Sequence, residues 1–184
     1  MIVGVDTSFL LYFFAPASAV GVPLDSNDQP VTMAKERVAG LIDELEKIGA
    51  TIIVSTPAMS ELMIRSGVQA AQAWLAIMNK SKVFRVVPFD VKSAIEVAMM
   101  AGHAVTGEGG KDPNAGTYAK LKYDRMIVAV AHTEGASVFY SDDSRQRNIA
   151  QRLGMTVKGL ADCIVPTAAA LQELPFQPKP ETEK

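Results

Sequence analysis

Short apolar runs that alternate with stretches of helical periodicity are the feature that most constrains this fold. In the stretches between the runs, apolar residues recur every three or four positions, as at Val38, Leu41 and Leu45. Strands that alternate with helices predict an α/β domain around a mainly parallel sheet. The apolar runs, rich in β-branched residues, cover 2–5, 51–55, 83–89 and 137–140, and a shorter one covers 155–157.

The remaining segments predict one domain with two long loops and a tail. Proline, glycine and small polar residues fill 15–31 and 102–117, which we interpret as loops. We expect one domain over residues 1–165, because a chain of 184 residues is long enough to bury a substantial core. Residues 166–184 are expected to form a C-terminal extension that is partly mobile, since its end is rich in proline and charge.

Composition favours a cytoplasmic protein with no strong general attraction for nucleic acid. The single cysteine, Cys163, excludes an intrachain disulfide. We recognise no signal peptide and no apolar run long enough to span a membrane. The formal net charge is -2, so RNA would have to be attracted by a local cluster of lysines and arginines. Any one of the candidate basic residues could equally lie on a solvated helix face. The candidates are Lys111, Lys120, Lys122, Arg125, Arg145, Arg147 and Arg152.

Four carboxylates occur where a parallel sheet would place ligands. Asp6 directly follows the first run, Glu61 lies in the helix after the second, and Asp143 follows the fourth. Asp124 lies on a strongly apolar helix predicted over roughly Tyr118 to Thr133, where burying a charge is costly unless something positive meets it. Ligands of such sheets bind at the carboxyl ends of the strands. Clustered acids need cations, and Mg²⁺ or Mn²⁺ at oxygen sites can promote phosphodiester cleavage.

Each of these acids also has an ordinary structural interpretation. Asp6 and Asp143 could be helix N-caps, and Asp142 could serve equally well in the second position. Glu61 could lie on a solvated face, and Asp124 could form a surface ion pair. The joint placement after strands favours a site over four separate structural roles.

Four stretches in this order resemble the PIN domain, and in particular the VapC-type ribonuclease toxins of toxin–antitoxin pairs. They are VDTSFLL, STPAMSELM, YDRMIVAVAH and VFYSDD, and the resemblance covers roughly residues 1–160. It implies a three-layer α/β/α fold with a mainly parallel five-stranded sheet. It also implies metal-dependent endoribonuclease activity with Mg²⁺, or with Mn²⁺ in its place.

Site residues follow from the resemblance position by position. Asp6, Glu61, Asp124 and Asp143 match the four acidic positions of the family, and Asp142 remains the rival for the fourth. Asp6 and Asp124 are implied as direct metal ligands, while Asp143 and Glu61 complete the site directly or through water. The hydroxyls of Thr7, Ser8 and Ser141 are implied to orient these carboxylates.

The resemblance also implies partners. We expect an RNA substrate, a cognate antitoxin protein, a homodimer and no association with membranes. The alternative interpretation is a PIN-fold module that binds RNA or protein without cleaving it, which loss of acids would favour. All four acids are present in this chain.

Overall fold

A sheet of five parallel strands forms the centre of the computed structural model, which describes residues 1–15, 20–25, 27–105 and 118–166. The strand order across the sheet is β3-β2-β1-β4-β5, so β1 and the residues that follow it lie in the middle. The strands are β1 (Ile2–Val5), β2 (Thr51–Ser55), β3 (Phe84–Val87), β4 (Val138–Tyr140) and β5 (Thr156–Lys158). Every pairing is parallel, as predicted.

Helices follow each of the first four strands in the described ranges. They are α1 (Thr7–Phe14), α2 (Ala34–Lys47), α3 (Thr56–Ser66), α4 (Val68–Lys80), α5 (Val91–Val105), α6 (Tyr118–Thr133) and α7 (Ser144–Arg152). A short 3-10 helix, Leu160–Asp162, comes after β5. None of the described helices combines the length and apolar composition that crossing a bilayer requires.

Both faces of the sheet are buried, which confirms the predicted α/β/α layers. In β2, Ile52 and Val54 point into the large core cluster, and Ile53 between them packs with Val130 of α6. Neighbouring side chains of a strand point to opposite faces, so helices must cover both sides of β2. The side chains of β2 named here are at most 2% exposed.

Several predicted boundaries are wrong in detail. The third, fourth and fifth strands each begin one residue later than predicted, at Phe84, Val138 and Thr156, and the fifth ends one residue later, at Lys158. The third strand ends at Val87 instead of continuing to Phe89, because Pro88 has no backbone N–H to donate to a ladder. The predicted loop 102–117 begins too early, since α5 continues to Val105. Residues 106–117 of that loop, and 167–184 of the predicted extension, lie outside the described residues.

Gly4 allows α6 to approach the centre of the sheet. A Cβ atom at Gly4 would lie 2.5 Å from the Ala131 Cβ and 2.8 Å from the Phe139 Cδ2. Both neighbours are buried, so they cannot move away into solvent. The close packing of the helix on β1 therefore requires glycine at this position.

We predict that Gly4→Ala lowers the free energy of unfolding by about 1–3 kcal/mol, the usual cost of overpacking a core. Urea denaturation of the variant and the wild type measures the change. Gly21→Ala is the matched control, since a Cβ at Gly21 meets nothing within 4 Å. Equal stability of Gly4→Ala and Gly21→Ala would contradict the close approach of α6.

Candidate active site

Asp6 lies buried at the carboxyl end of the central strand. Its Oδ1 accepts a hydrogen bond from the Phe9 N–H at 2.9 Å, which makes it the N-cap of α1. Its Oδ2 accepts the Ser141 hydroxyl at 2.6 Å. The side chain is thus both a cap and part of a polar cluster between β1 and β4, and the two interpretations from the sequence are compatible.

Burial makes the negative charge of Asp6 unfavourable. It raises the pKa of this carboxyl to about 7, with a smaller contribution from the nearby carboxylates of Asp142 and Asp143. The hydrogen bonds from Ser141 and Phe9 act in the opposite direction but do not offset the burial. Ionisation of Asp6 is therefore unfavourable in this environment.

Asp124 is the second buried acid. It lies within α6 and is 4% exposed. Its Oδ1 accepts the Gln146 Nε2 at 3.2 Å, while its Oδ2 is buried and has no hydrogen-bond partner among the described residues. Burial, followed by repulsion from Asp143, raises the pKa of Asp124 to about 6.

The carboxylate of Asp143 interacts electrostatically with both of these acids. Its Oδ1 accepts the N–H groups of Arg145 and Gln146 at 2.9 and 3.2 Å, which caps α7. Its charge raises the pKa of both Asp6 and Asp124. The Lys120 Nζ lies 3.8 Å from its Oδ2, and this places a member of the predicted basic cluster beside the acids.

Asp142, the rival fourth acid, is held toward β5. Its Oδ1 accepts the Leu160 N–H at 3.0 Å, and the Arg147 guanidinium lowers the pKa that burial raises. Asp143, in contrast, shares Ser141 with Asp6, since the Asp143 N–H donates to the Ser141 Oγ at 3.0 Å. These contacts place Asp143, and not Asp142, in the hydrogen-bonded set that includes Asp6.

Glu61 is linked to α1 at Thr7, the residue that follows Asp6. The Thr7 hydroxyl donates to the Glu61 Oε2 at 2.7 Å, and the Arg65 Nε lies 3.9 Å from Oε1. Thr7 and Ser141 therefore orient two of the predicted acids. Ser8, the third predicted hydroxyl, is half-buried on α1 and makes none of the hydrogen bonds that connect these carboxylates.

Gln146 is the polar residue that sequence reasoning missed. It is buried, and through it the cap of α7 is connected to Asp124. Its spacing contained a signal, because it lies one helical turn before the buried Ala150 and so points inward. The connected set now runs from Asp6 through Ser141, Asp143 and Gln146 to Asp124.

The donor chemistry fits Mg²⁺ or Mn²⁺, which prefer carboxylate oxygens. The partnerless Oδ2 of Asp124 and the repulsion centred on Asp143 both favour a cation. Within the described ranges, however, no three His, Cys, Asp or Glu side chains are gathered closely enough to enclose one. The arrangement therefore fits a hydrated ion held by one or two carboxylates, the usual form of Mg²⁺ sites, and not an all-protein cage.

Comparisons with known proteins agree with this architecture. The sequence profile of the PIN domain family matches residues 33–152, well over half of the chain, which include Glu61, Asp124 and Asp143 but not Asp6. No curated protein sequence matches the chain.

Several solved structures share the fold, and two of them are VapBC complexes. One is VapBC2 from Rickettsia felis bound to a DNA fragment from its promoter, with 16% identity and a TM-score of 0.54 over 86% of this chain and 98% of that one. The other is DNA-bound VapBC from Salmonella typhimurium, with 12% identity and a TM-score of 0.50 over 87% of this chain and 98% of that one. With the profile match, they confirm the predicted resemblance to the PIN domain and its fold.

Proposed function

The chain belongs to the PIN domain family, and from this premise we propose that it is a metal-dependent endoribonuclease, the toxin of a toxin–antitoxin pair. The observation that carries the proposal is the connected set of carboxylates around Asp143. Two of them, Asp6 and Asp124, are buried with raised pKa values, and the Asp124 Oδ2 has no hydrogen-bond partner among the described residues. Ionising such acids costs free energy, which a divalent cation would offset.

In this proposal one or two of Asp6, Asp124 and Asp143 would hold a hydrated cation directly, and the remaining carboxylate would contact it through bound water. The ion, when bound, supplies Lewis acidity toward the phosphate and a more acidic water. Ser141 fixes the Asp6 carboxylate, and Thr7 fixes Glu61, which completes the site directly or through water. Gln146 holds one oxygen of Asp124 and leaves the other for the ion.

RNA is the proposed substrate, and exposed lysines beside the acids would attract it. Lys120 and Lys122 are exposed on α6, and Lys120 approaches Asp143. An approaching phosphate can pair with these lysines near the site, although the chain as a whole is mildly acidic. The proposed cognate antitoxin is supported by the VapBC names of the structural neighbours. A homodimer and a cytoplasmic location remain predictions.

One observation favours the alternative of a silent binding module. Within the described ranges, no three acids lie close enough together to bind a cation without bound water. A module of this kind would bind RNA or a partner protein without metal-dependent cleavage. Activity in defined metal conditions separates the two functions.

We predict that purified protein cleaves RNA from a mixed cellular pool with Mg²⁺ or Mn²⁺ and not with EDTA. Gel analysis of end-labelled RNA measures cleavage, and restoring Mg²⁺ after chelation should restore it. Cleavage that persists in EDTA would contradict the metal site. RNA binding without cleavage under every metal condition would instead support the silent module.

A further inference from the structure

An open cavity lies beside the carboxylates, between the loop before α2 and the outer face of α7. Its volume is about 510 Å³, within the range that holds small ligands. Asp142 forms part of its lining and is the immediate chain neighbour of Asp143. The Asp142 carboxylate acts electrostatically on Asp6, so a ligand in this cavity would lie within electrostatic range of the proposed reaction centre.

One wall of the cavity is apolar. Pro23 and Leu24 form it, and Leu24 is 58% exposed, so its side chain has an open face. The loop is held in shape, because the Val31 N–H donates to the Pro23 carbonyl at 2.9 Å and Asp25 and Gln29 pair through their backbones at 2.8 Å. A preformed apolar surface of this kind suits the flat face of a ring.

The Asp25 side chain makes this loop still more rigid. Its Oδ1 accepts the N–H groups of Asn27 and Gln29 at 2.8 and 2.9 Å. These two hydrogen bonds lower the pKa of Asp25. The apolar wall is therefore held by a turn with its own hydrogen bonds and does not depend on a ligand for its shape.

The opposite wall carries amides. Asn148 and Gln151 lie one helical turn apart on α7, and both are exposed. Each amide offers donors and an acceptor, which is the chemistry that reads the edges of nucleobases. Asn148 and Gln151 can therefore reach two neighbouring positions of one ligand.

Charge in the cavity is balanced. The Arg147 Nη1 donates to the Ser141 carbonyl at 3.2 Å, and Arg147 faces Asp142, so one positive and one negative group meet in the lining. A balanced site gives no net attraction to a phosphate, in contrast to the exposed lysines of α6. A neutral, flat and polar-edged group fits it better.

We propose that this cavity binds an unpaired base of the RNA next to the cleaved bond, an inference that rests on the proposed nuclease function. Pro23 and Leu24 contact the face of the base, and Asn148 and Gln151 hydrogen-bond to its edge. Recognition of splayed-out single-stranded bases by a packing surface and edge hydrogen bonds is the common mode for RNA. The cavity would thus select which sequences are cut.

The test maps cleavage positions on a randomised single-stranded RNA pool by sequencing, in Mg²⁺, for the wild type and for Asn148→Ala with Gln151→Ala. We expect the wild type to show a base preference beside the cut of about tenfold, and the double variant to lose most of it. Gln72→Ala with Asn79→Ala is the matched control. These amides are exposed on α4, which packs against β3 at the opposite edge of the sheet.

A second readout separates the inference from the function on which it rests. Fluorescence anisotropy measures binding of short A, C, G and U homo-oligomers to Asp6→Asn protein with and without the two α7 substitutions. Base-selective binding that the substitutions abolish supports the cavity even if the wild type cleaves nothing. Cleavage with an unchanged preference in the double variant overturns the cavity and leaves the nuclease standing, as would be seen if a protein side chain were its occupant. Absence of both binding and cleavage overturns both.

Discussion

Asp6→Asn is expected to lower the rate of RNA cleavage by about a thousandfold, which corresponds to about 4 kcal/mol of lost transition-state stabilisation. The substitution keeps the shape and an acceptor oxygen, so the Phe9 N–H can still cap α1. It removes the charge that would hold the cation. Initial rates on a labelled RNA at saturating Mg²⁺ measure the effect, and circular dichroism verifies that the variant folds.

Matched substitutions make this test specific. Asp124→Asn should act like Asp6→Asn, because both acids are buried beside Asp143. Asp43→Asn, on the exposed surface of α2, should leave the rate unchanged. Full activity of Asp6→Asn would show that these acids are caps and buried polar groups and not a reaction centre.

Asp143→Asn and Asp142→Asn decide the identity of the fourth acid. We expect a loss of at least about a hundredfold for the first, since Asp143 interacts electrostatically with both buried acids. The second should cost less, because Asp142 is engaged by the Leu160 N–H, which Asn can also satisfy. The reverse order would assign the role to Asp142.

Elements with a strong local signal could be predicted from the sequence. The run 2–5 coincides with β1 and the run 51–55 with β2. Both strands are largely buried and consist mainly of apolar residues, so the run of apolar residues in the sequence marks them directly. The helix predicted over Tyr118 to Thr133 has those bounds in α6. Ligands bind at the carboxyl ends of the strands in a parallel sheet, and this rule then identified the acids as candidates.

A helix without a polar face, and contacts between residues that are distant in the sequence, could not be predicted in this way. Helix α1 is almost entirely apolar, so it lacks the polar face from which helical periodicity is recognised. The hydrogen bond from Gln146 to Asp124 joins two helices and connects residues that are 22 positions apart in the sequence. The bond from Ser141 to Asp6 connects residues that are 135 positions apart. Only the packing of α6 and α7 around the sheet brings these groups together.

The free energy of unfolding of the metal-free protein should fall as the pH rises, and Asp6→Asn should remove much of this dependence on pH. The pKa of Asp6 is about 7 in the folded protein and 3.8 as an isolated group. Between these values the folded state binds a proton that the unfolded state has lost, so unfolding becomes easier from about pH 4 to pH 7. Asp124, with a pKa of about 6, adds to the same trend.

In EDTA we therefore expect Asp6→Asn to be more stable than the wild type, with an advantage that grows by about 2–3 kcal/mol between pH 5 and pH 8. Urea denaturation at both pH values measures it, with Asp43→Asn as the control. An advantage that does not change with pH would show that Asp6 ionises freely in the folded protein, contrary to its burial at the carboxyl end of β1 beside Ser141.

Adding Mg²⁺ at pH 8 should stabilise the wild type, because a cation that binds only the folded state raises the free energy of unfolding. Asp6→Asn should gain much less, and the gain of the wild type should shrink at pH 5, where Asp6 holds a proton that competes with the ion. Equal stabilisation of both proteins by Mg²⁺ would place the ion elsewhere. Asp6→Asn should therefore raise the free energy of unfolding in EDTA but reduce the amount by which Mg²⁺ raises it. Both effects are expected of a carboxylate that costs stability until a cation neutralises it. A carboxylate that only caps α1 would produce neither.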